Sequence, residues 1–288
     1  MRRQPPPPPE TRAAFTLIEL LVVIAVIAII VSLVMPALNR SRDMASRMEC
    51  ESRLARLAAA LFVYQDANLA LPPGTVSGVE PVVPAAGEPQ FAWTTRVLRQ
   101  LDLPQTHAAI NFSESVYAEE NDRLHELRLR PLMCPVGDPR EGVGYVGIQH
   151  HEPKGITSED SGLFFNNSRI DLLSIPDGRS STLMVAETAV PAPVSWATGT
   201  RATLRYARLG DADVGPVSRT KPADVRDGDA PRADEELLER ASLSSRHGDY
   251  AMAAMAGGRV RPLSYRMDRA VLSQIADRDD GEPLGGFE

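Results

Sequence analysis

The chain has 288 residues, 43% of them hydrophobic, and a formal net charge of −7 at pH 7. That is enough apolar material for one membrane helix and one sizeable soluble core. The acidic balance argues against nucleic acid as the main partner, and no second apolar run approaches the roughly eighteen residues of a spanning helix, which excludes a polytopic membrane protein.

Residues 1–14 begin MRRQ and continue through Pro5 to Pro9, an extended polyproline segment with no capacity to pack a core, and are set apart from the fold as a leader. From Phe15 to Met35 the sequence carries a single charge, Glu19. As a helix this run reaches about 31 Å, close to the thickness of a bilayer's hydrocarbon core, whereas a secretory signal has an apolar run of only about 7–15 residues. A carboxylate within such a run costs about 2.5–3.5 kcal/mol on insertion scales. Glu19 therefore either faces a partner or, being close to the helix start, snorkels to the interface. Flanking charge does not orient the span: Arg2, Arg3 and Arg12 stand against Glu10 on one side, and Arg40, Arg42, Arg47, Arg53 and Arg56 against Asp43, Glu49 and Glu51 on the other.

Pro36 removes a backbone donor and predicts a kink rather than a stop, because helical patterning resumes at once. Ala37, Met44, Met48, Leu54, Leu57, Ala58, Leu61 and Phe62 recur at three- and four-residue steps, so the helix is expected to run to about Asp66. The expected organisation is a leader over 1–14, a transmembrane helix over 15–36, an amphipathic extension over 37–70 and an α+β head over 71–288. In the head, 72–90 reads as loop, Trp93 to Leu103 as a helix with Val97, Leu98 and Leu101 on one face, and Glu119 to Leu129 as partly helical. Strand-like runs lie at Val143 to Gln149, Leu163 to Phe165 and Thr182 to Ala186. Residues 199–242 read as a poorly packed insertion ending in a short helix near Asp234 to Ala241. Gly257-Gly258, between two extended runs in Tyr250 to Leu263, predicts a tight hairpin on a type I′ turn. The predicted fold is thus a long kinked helix on a small antiparallel sheet.

Cys50 on the helix and Cys134 in the head point to a disulfide if the head faces an oxidising compartment; the alternative is two buried thiols. His150-His151-Glu152 has no second cluster at zinc spacing and reads as a loop. His247 and Asp249, two apart, either share a proton or cation on one strand face or make a structural hydrogen bond. The run Asp224, Asp227, Asp229, Asp234, Glu235, Glu236 lacks the spacing and Gly of a calcium loop and reads as a solvated face. Neither a catalytic motif nor a cofactor or metal signature is present, so an enzyme is not expected.

Ala14 followed by Phe15-Thr16-Leu17-Ile18-Glu19 and an apolar helix resembles the amino-terminal signal of type IV prepilins and type II secretion pseudopilins. The resemblance implies that prepilin peptidase cuts between Ala14 and Phe15 on the cytoplasmic side and methylates the new amine. It also implies that Glu19 pairs with the amine of a neighbouring subunit. Ala14 stands where those families usually have Gly. Beyond the signal the chain is similar to a bacterial family of prepilin-like proteins of unknown function with a carboxy-terminal motif of His, nine residues, Asp-Gly. The echoes include Cys50 in RMECESRLARLAAALFVYQDA, Leu71-Pro72-Pro73-Gly74, Cys134-Pro135, Gly144-Tyr145-Val146-Gly147, Ile175-Pro176-Asp177-Gly178, the following MVAET, and Ser244-Ser245-Arg246-His247. Here the motif runs from His247 to Gly257-Gly258 in place of Asp-Gly. The implied protein is a pseudopilin-like structural subunit of a secretion or pilus-like assembly. It would be single-pass in the cytoplasmic (inner) membrane lipid bilayer, its N-terminus cytoplasmic and its head periplasmic, with other pilin-like subunits as partners. The alternative is a membrane-tethered solute- or polymer-binding protein that forms no filament.

Overall fold

A computed structural model describes residues 17–136, 143–189, 195–210 and 243–281. The chain divides into two compact units, residues 1–45 and 46–288. Helix α1 (Leu17–Asn68) belongs to both. In the first unit the helix is apolar around its circumference as far as Leu38, Glu19 and Ser32 apart, with a mean hydropathy of 3.2 in its most apolar stretch and none of that stretch buried. By length and composition it is able to cross a membrane. Pro36 lies inside the helix, which continues past it despite the missing N–H.

In the second unit the same helix becomes one-sided. Cys50, Leu54, Leu57, Ala58, Leu61 and Gln65 are buried at helical spacing. Met44 and Met48, read from the sequence as part of that stripe, are exposed. The buried stripe begins only at Cys50.

The head is a five-stranded sheet, β1 (Tyr145–His150), β2 (Leu183–Glu187), β3 (Leu204–Tyr206), β4 (Tyr250–Met255) and β5 (Val260–Ser264), in the order β3-β1-β2-β4-β5. Four of these strands run antiparallel to their neighbours, but β3 pairs with β1 in parallel, so the sheet is mixed rather than antiparallel as expected. The two-residue period of β4 divides the core. Met252 and Ala254 join a cluster with Leu54, Leu57 and Leu61 of α1, while Ala251, Ala253 and Met255 join one with Leu272 and Ile275 of α5 (Arg269–Ala276). The sheet thus lies between the amphipathic half of α1 and the short carboxy-terminal helix, which the sequence reading did not anticipate.

Three short helices complete the described head: α2 (Trp93–Arg96), α3 (Pro104–Ala108) and α4 (Asp122–Glu126). The single helix expected over Trp93 to Leu103 ends at Arg96, where Val97 leaves the helical region at φ −100° and ψ 6°. Val97, Leu98 and Leu101 are nonetheless buried, held in turns instead. Leu163 to Phe165 is not a strand; Phe164 packs against Trp93 with ring centroids 5.0 Å apart. Residues 199–210, expected to be poorly packed, are largely buried and supply β3; Arg201 there hydrogen-bonds Gln149 and the carbonyl of Lys154. The helix expected near Asp234 to Ala241 lies outside the described residues.

The Gly-Gly hairpin forms between β4 and β5, but not on a type I′ turn. Gly258 alone has positive φ (+87°), and Gly258 N–H donates to Met255 O at 2.8 Å. A type I′ turn needs positive φ at both central residues. The loop is instead Ala256-Gly257-Gly258, closed by Met255 N–H donating to Arg259 O at 2.9 Å. A left-handed third residue is the usual geometry of a three-residue hairpin loop.

Candidate functional site

Ala14 and Phe15, the expected processing site, lie outside the described residues. Glu19 sits in the first turn of described α1, in its apolar half.

The densest chemistry in the head gathers around Cys50. Registry brings it together: Tyr145 of β1 lies directly opposite Glu187 of β2, so both side chains leave the same face of the sheet, the one turned toward α1. Tyr145 Oη donates to Cys50 Sγ at 3.4 Å. Cys134 follows the 3-10 turn Arg130–Leu132, and Gly144 lies so close to it that a Cβ there would fall 2.5 Å from Cys134 N. That contact admits only glycine and seats Cys134 beside the start of β1. His247 comes from the loop before β4. Its backbone carbonyl accepts from Arg47 of α1 at 2.8 Å and its N–H donates to Ser245 Oγ at 3.0 Å.

These four elements place Cys50 Sγ, Cys134 Sγ, a Glu187 oxygen and a His247 ring nitrogen within 4.8 Å of one another. Cys134 Sγ is 3.4 Å from His247 Nε2, and Glu187 Oε1 is 3.7 Å from the same nitrogen. Glu187 Oε2 accepts from Met252 N–H at 3.3 Å, whereas Oε1 has no hydrogen-bond partner among the described residues. Cys50 and Glu187 are fully buried, Cys134 and His247 nearly so. Both cysteines are free thiols in this structure. The disulfide considered between Cys50 and Cys134 is not formed in this structure, although their sulfurs lie within 4.8 Å of each other.

Burial shapes the protonation of this cluster. It pushes the Glu187 carboxyl up to about 9, and the nearby Cys134 adds to the effect. The hydrogen bond between the two thiols draws Cys134 below the usual thiol range, with His247 contributing, and drives Cys50 well above it. Desolvation raises Tyr145 as well.

His150 closes β1 and its ring stacks on His151, with centroids 4.3 Å apart. His151 Nδ1 lies 3.2 Å from Asp277 Oδ2, and His150 Nδ1 accepts from Glu152 N–H at 2.8 Å. Asp249, considered as a partner for His247, accepts from Tyr265 N–H through its backbone carbonyl. The acidic run from Asp224 to Glu236 lies outside the described residues. Sequence reasoning marked Cys50, Cys134 and His247 for separate reasons and passed over Glu187. Its signal was MVAET, an apolar strand closed by a carboxylate.

A family model described as a prokaryotic N-terminal methylation motif matches residues 11–35. A second, described as a protein of unknown function (DUF1559), matches residues 39–270. No curated protein and no solved structure gives a significant match. The methylation motif, leading into an apolar helix long enough to span a bilayer, makes this a prepilin-like, membrane-anchored protein. With most of its length matched by the second model, the chain belongs to the DUF1559 family of proteins of unknown function.

Proposed function

We propose that the protein is a pseudopilin-like structural subunit of a type II secretion or pilus-like assembly, cut and N-methylated by prepilin peptidase. Its N-terminus lies on the cytoplasmic side of the inner membrane and its head outside. The observation that carries this reading is the methylation motif over residues 11–35, which continues without a break into a helix whose exposed apolar half offers a lateral packing surface. The role is structural rather than enzymatic. Mass spectrometry of the purified amino terminus tests it: the mature chain begins at Phe15 with a methylated amine. A chain beginning at Met1, or cut beyond Met35, contradicts it.

A second reading, an anchored binder of a polar solute or polymer, draws on a groove of about 570 Å³ lined by His151, Tyr206, Arg208, Tyr265 and Arg269. The mixture of aromatic and charged side chains, Glu152 among them, suits a polar ligand.

A further inference from the structure

We propose that Cys50, Cys134, Glu187 and His247 are the four ligands of a structural zinc-class cation that clamps helix α1 to the head. Geometry carries the assignment. Bonds of about 2.0–2.3 Å from sulfur, nitrogen and oxygen to one ion define a tetrahedron with edges of about 3.3–3.8 Å. The two resolved edges, Cys134 Sγ to His247 Nε2 at 3.4 Å and His247 Nε2 to Glu187 Oε1 at 3.7 Å, fall in that range. All four atoms lie within 4.8 Å of one another.

The ligand set also selects the ion. Two thiolates with an imidazole and a carboxylate suit Zn²⁺ and disfavour Ca²⁺ or Mg²⁺, which take oxygen ligands. Four protein ligands in a buried site leave no open position, the arrangement of a structural rather than a catalytic centre. Glu187 Oε1 is a buried oxygen with no hydrogen-bond partner among the described residues, held in place because Oε2 is fixed by Met252 N–H. Such an orphan is costly unless something completes it. The surrounding contacts are those of an outer ligand shell. Tyr145 Oη donates to Cys50 Sγ, and Arg47 holds the backbone of His247 while bringing a positive charge close to a site that, with its ion, carries one net negative charge.

A thiol nucleophile with a histidine base is the rival arrangement. In that arrangement the cysteine and the carboxylate take opposite nitrogens of the imidazole ring. Here both Cys134 and Glu187 face Nε2. They converge on a point, as ligands do. A Cys50–Cys134 disulfide would consume both sulfurs and leave His247 and Glu187 converging on nothing.

The test uses the full chain, solubilised in detergent and isolated without chelator. One zinc per chain is expected by elemental analysis. After reduction and metal removal, Zn²⁺ or Co²⁺ titration should show uptake of one ion, and the Co²⁺ form should display intense tetrahedral ligand-field bands with thiolate-to-cobalt charge transfer. Those spectra come from the unaltered chain and need no variant to fold. Glu187→Gln and His247→Gln should each weaken Zn²⁺ binding by more than tenfold. Failure of the reduced chain to take up a stoichiometric ion overturns the assignment. So does a natively isolated chain that carries no metal and yields a Cys50–Cys134 cross-linked peptide on non-reducing mapping. Uptake unchanged in both variants would also overturn it.

Discussion

Gly258, at the tip of the β4–β5 hairpin, sits so close to Phe62 on α1 that a Cβ built on it would fall 2.8 Å from the Phe62 ring. Its backbone is also left-handed, at φ +87°. The left-handed backbone is what favours glycine here, and the lack of a side chain lets the hairpin tip rest against the Phe62 ring on the amphipathic half of the helix without displacing it. Gly258→Ala is expected to destabilise the head by about 1–3 kcal/mol, combining left-handed strain with displacement of the Phe62 ring. Gly257→Ala should cost less, because Gly257 lacks positive φ and its added Cβ would come no closer than 3.3 Å, to the Arg179 carbonyl oxygen, with Ser180 Cα at 3.5 Å. Urea unfolding of the two variants beside the unaltered chain checks the order; equal losses would contradict it.

Asn166 is fully buried and stitches the loop after α1 to the segment between β1 and β2. Its Oδ1 accepts from Ser77 N–H at 2.9 Å, and its Nδ2 donates to Ser77 O at 3.1 Å and to Glu80 Oε1 at 2.8 Å. Asn166→Leu strands the Ser77 N–H and is expected to cost about 1–3 kcal/mol, measured by the same unfolding assay. An unchanged midpoint would show that the loop re-forms its bonds elsewhere.

His150 gives the head a pH dependence of defined sign. Burial, then Lys154 and His151, lower its pKa below 6.5, with Asp160 and Asp277 opposing. Its Nδ1 already accepts a backbone hydrogen bond, from Glu152, which suits the neutral ring. The unfolded chain therefore binds the proton more readily than the folded one, and stability is lost as pH falls from 6.5 through the lower folded value. His150→Asn should lose less stability than the unaltered chain between about pH 7.5 and 5. Parallel losses would assign the pH dependence to other groups.

What the sequence made legible was local. The apolar run, the one-sided stretch from Leu54 to Leu61 and the Gly-Gly turn each announce themselves within a few residues, and α1 and the β4–β5 hairpin stand where that patterning puts them. β3 escaped because Arg201 and Arg205 mark its surroundings as solvent-facing, although both side chains are buried. Its parallel pairing with β1 is a long-range choice that no local pattern encodes. The four-residue cluster escaped for the same reason. Sequence rules for metal sites read closely spaced ligand pairs, whereas Cys50, Cys134, Glu187 and His247 come from four separate segments and meet only once the sheet registers Tyr145 against Glu187 beneath α1.

The claim that this protein assembles laterally through its membrane helix turns on Glu19. A carboxylate at membrane depth is costly unless neutralised, and pairing with the Phe15 amine of a neighbouring subunit recovers part of that cost. Glu19→Ala should leave processing and insertion intact, since neither needs a neighbour. The decisive measurement is in-membrane cross-linking between subunits from Ile24→Cys, with and without Glu19→Ala. Assembly predicts strong cross-linking in the first background and a marked loss in the second; equal cross-linking in both would contradict it and favour an anchored binder that forms no filament.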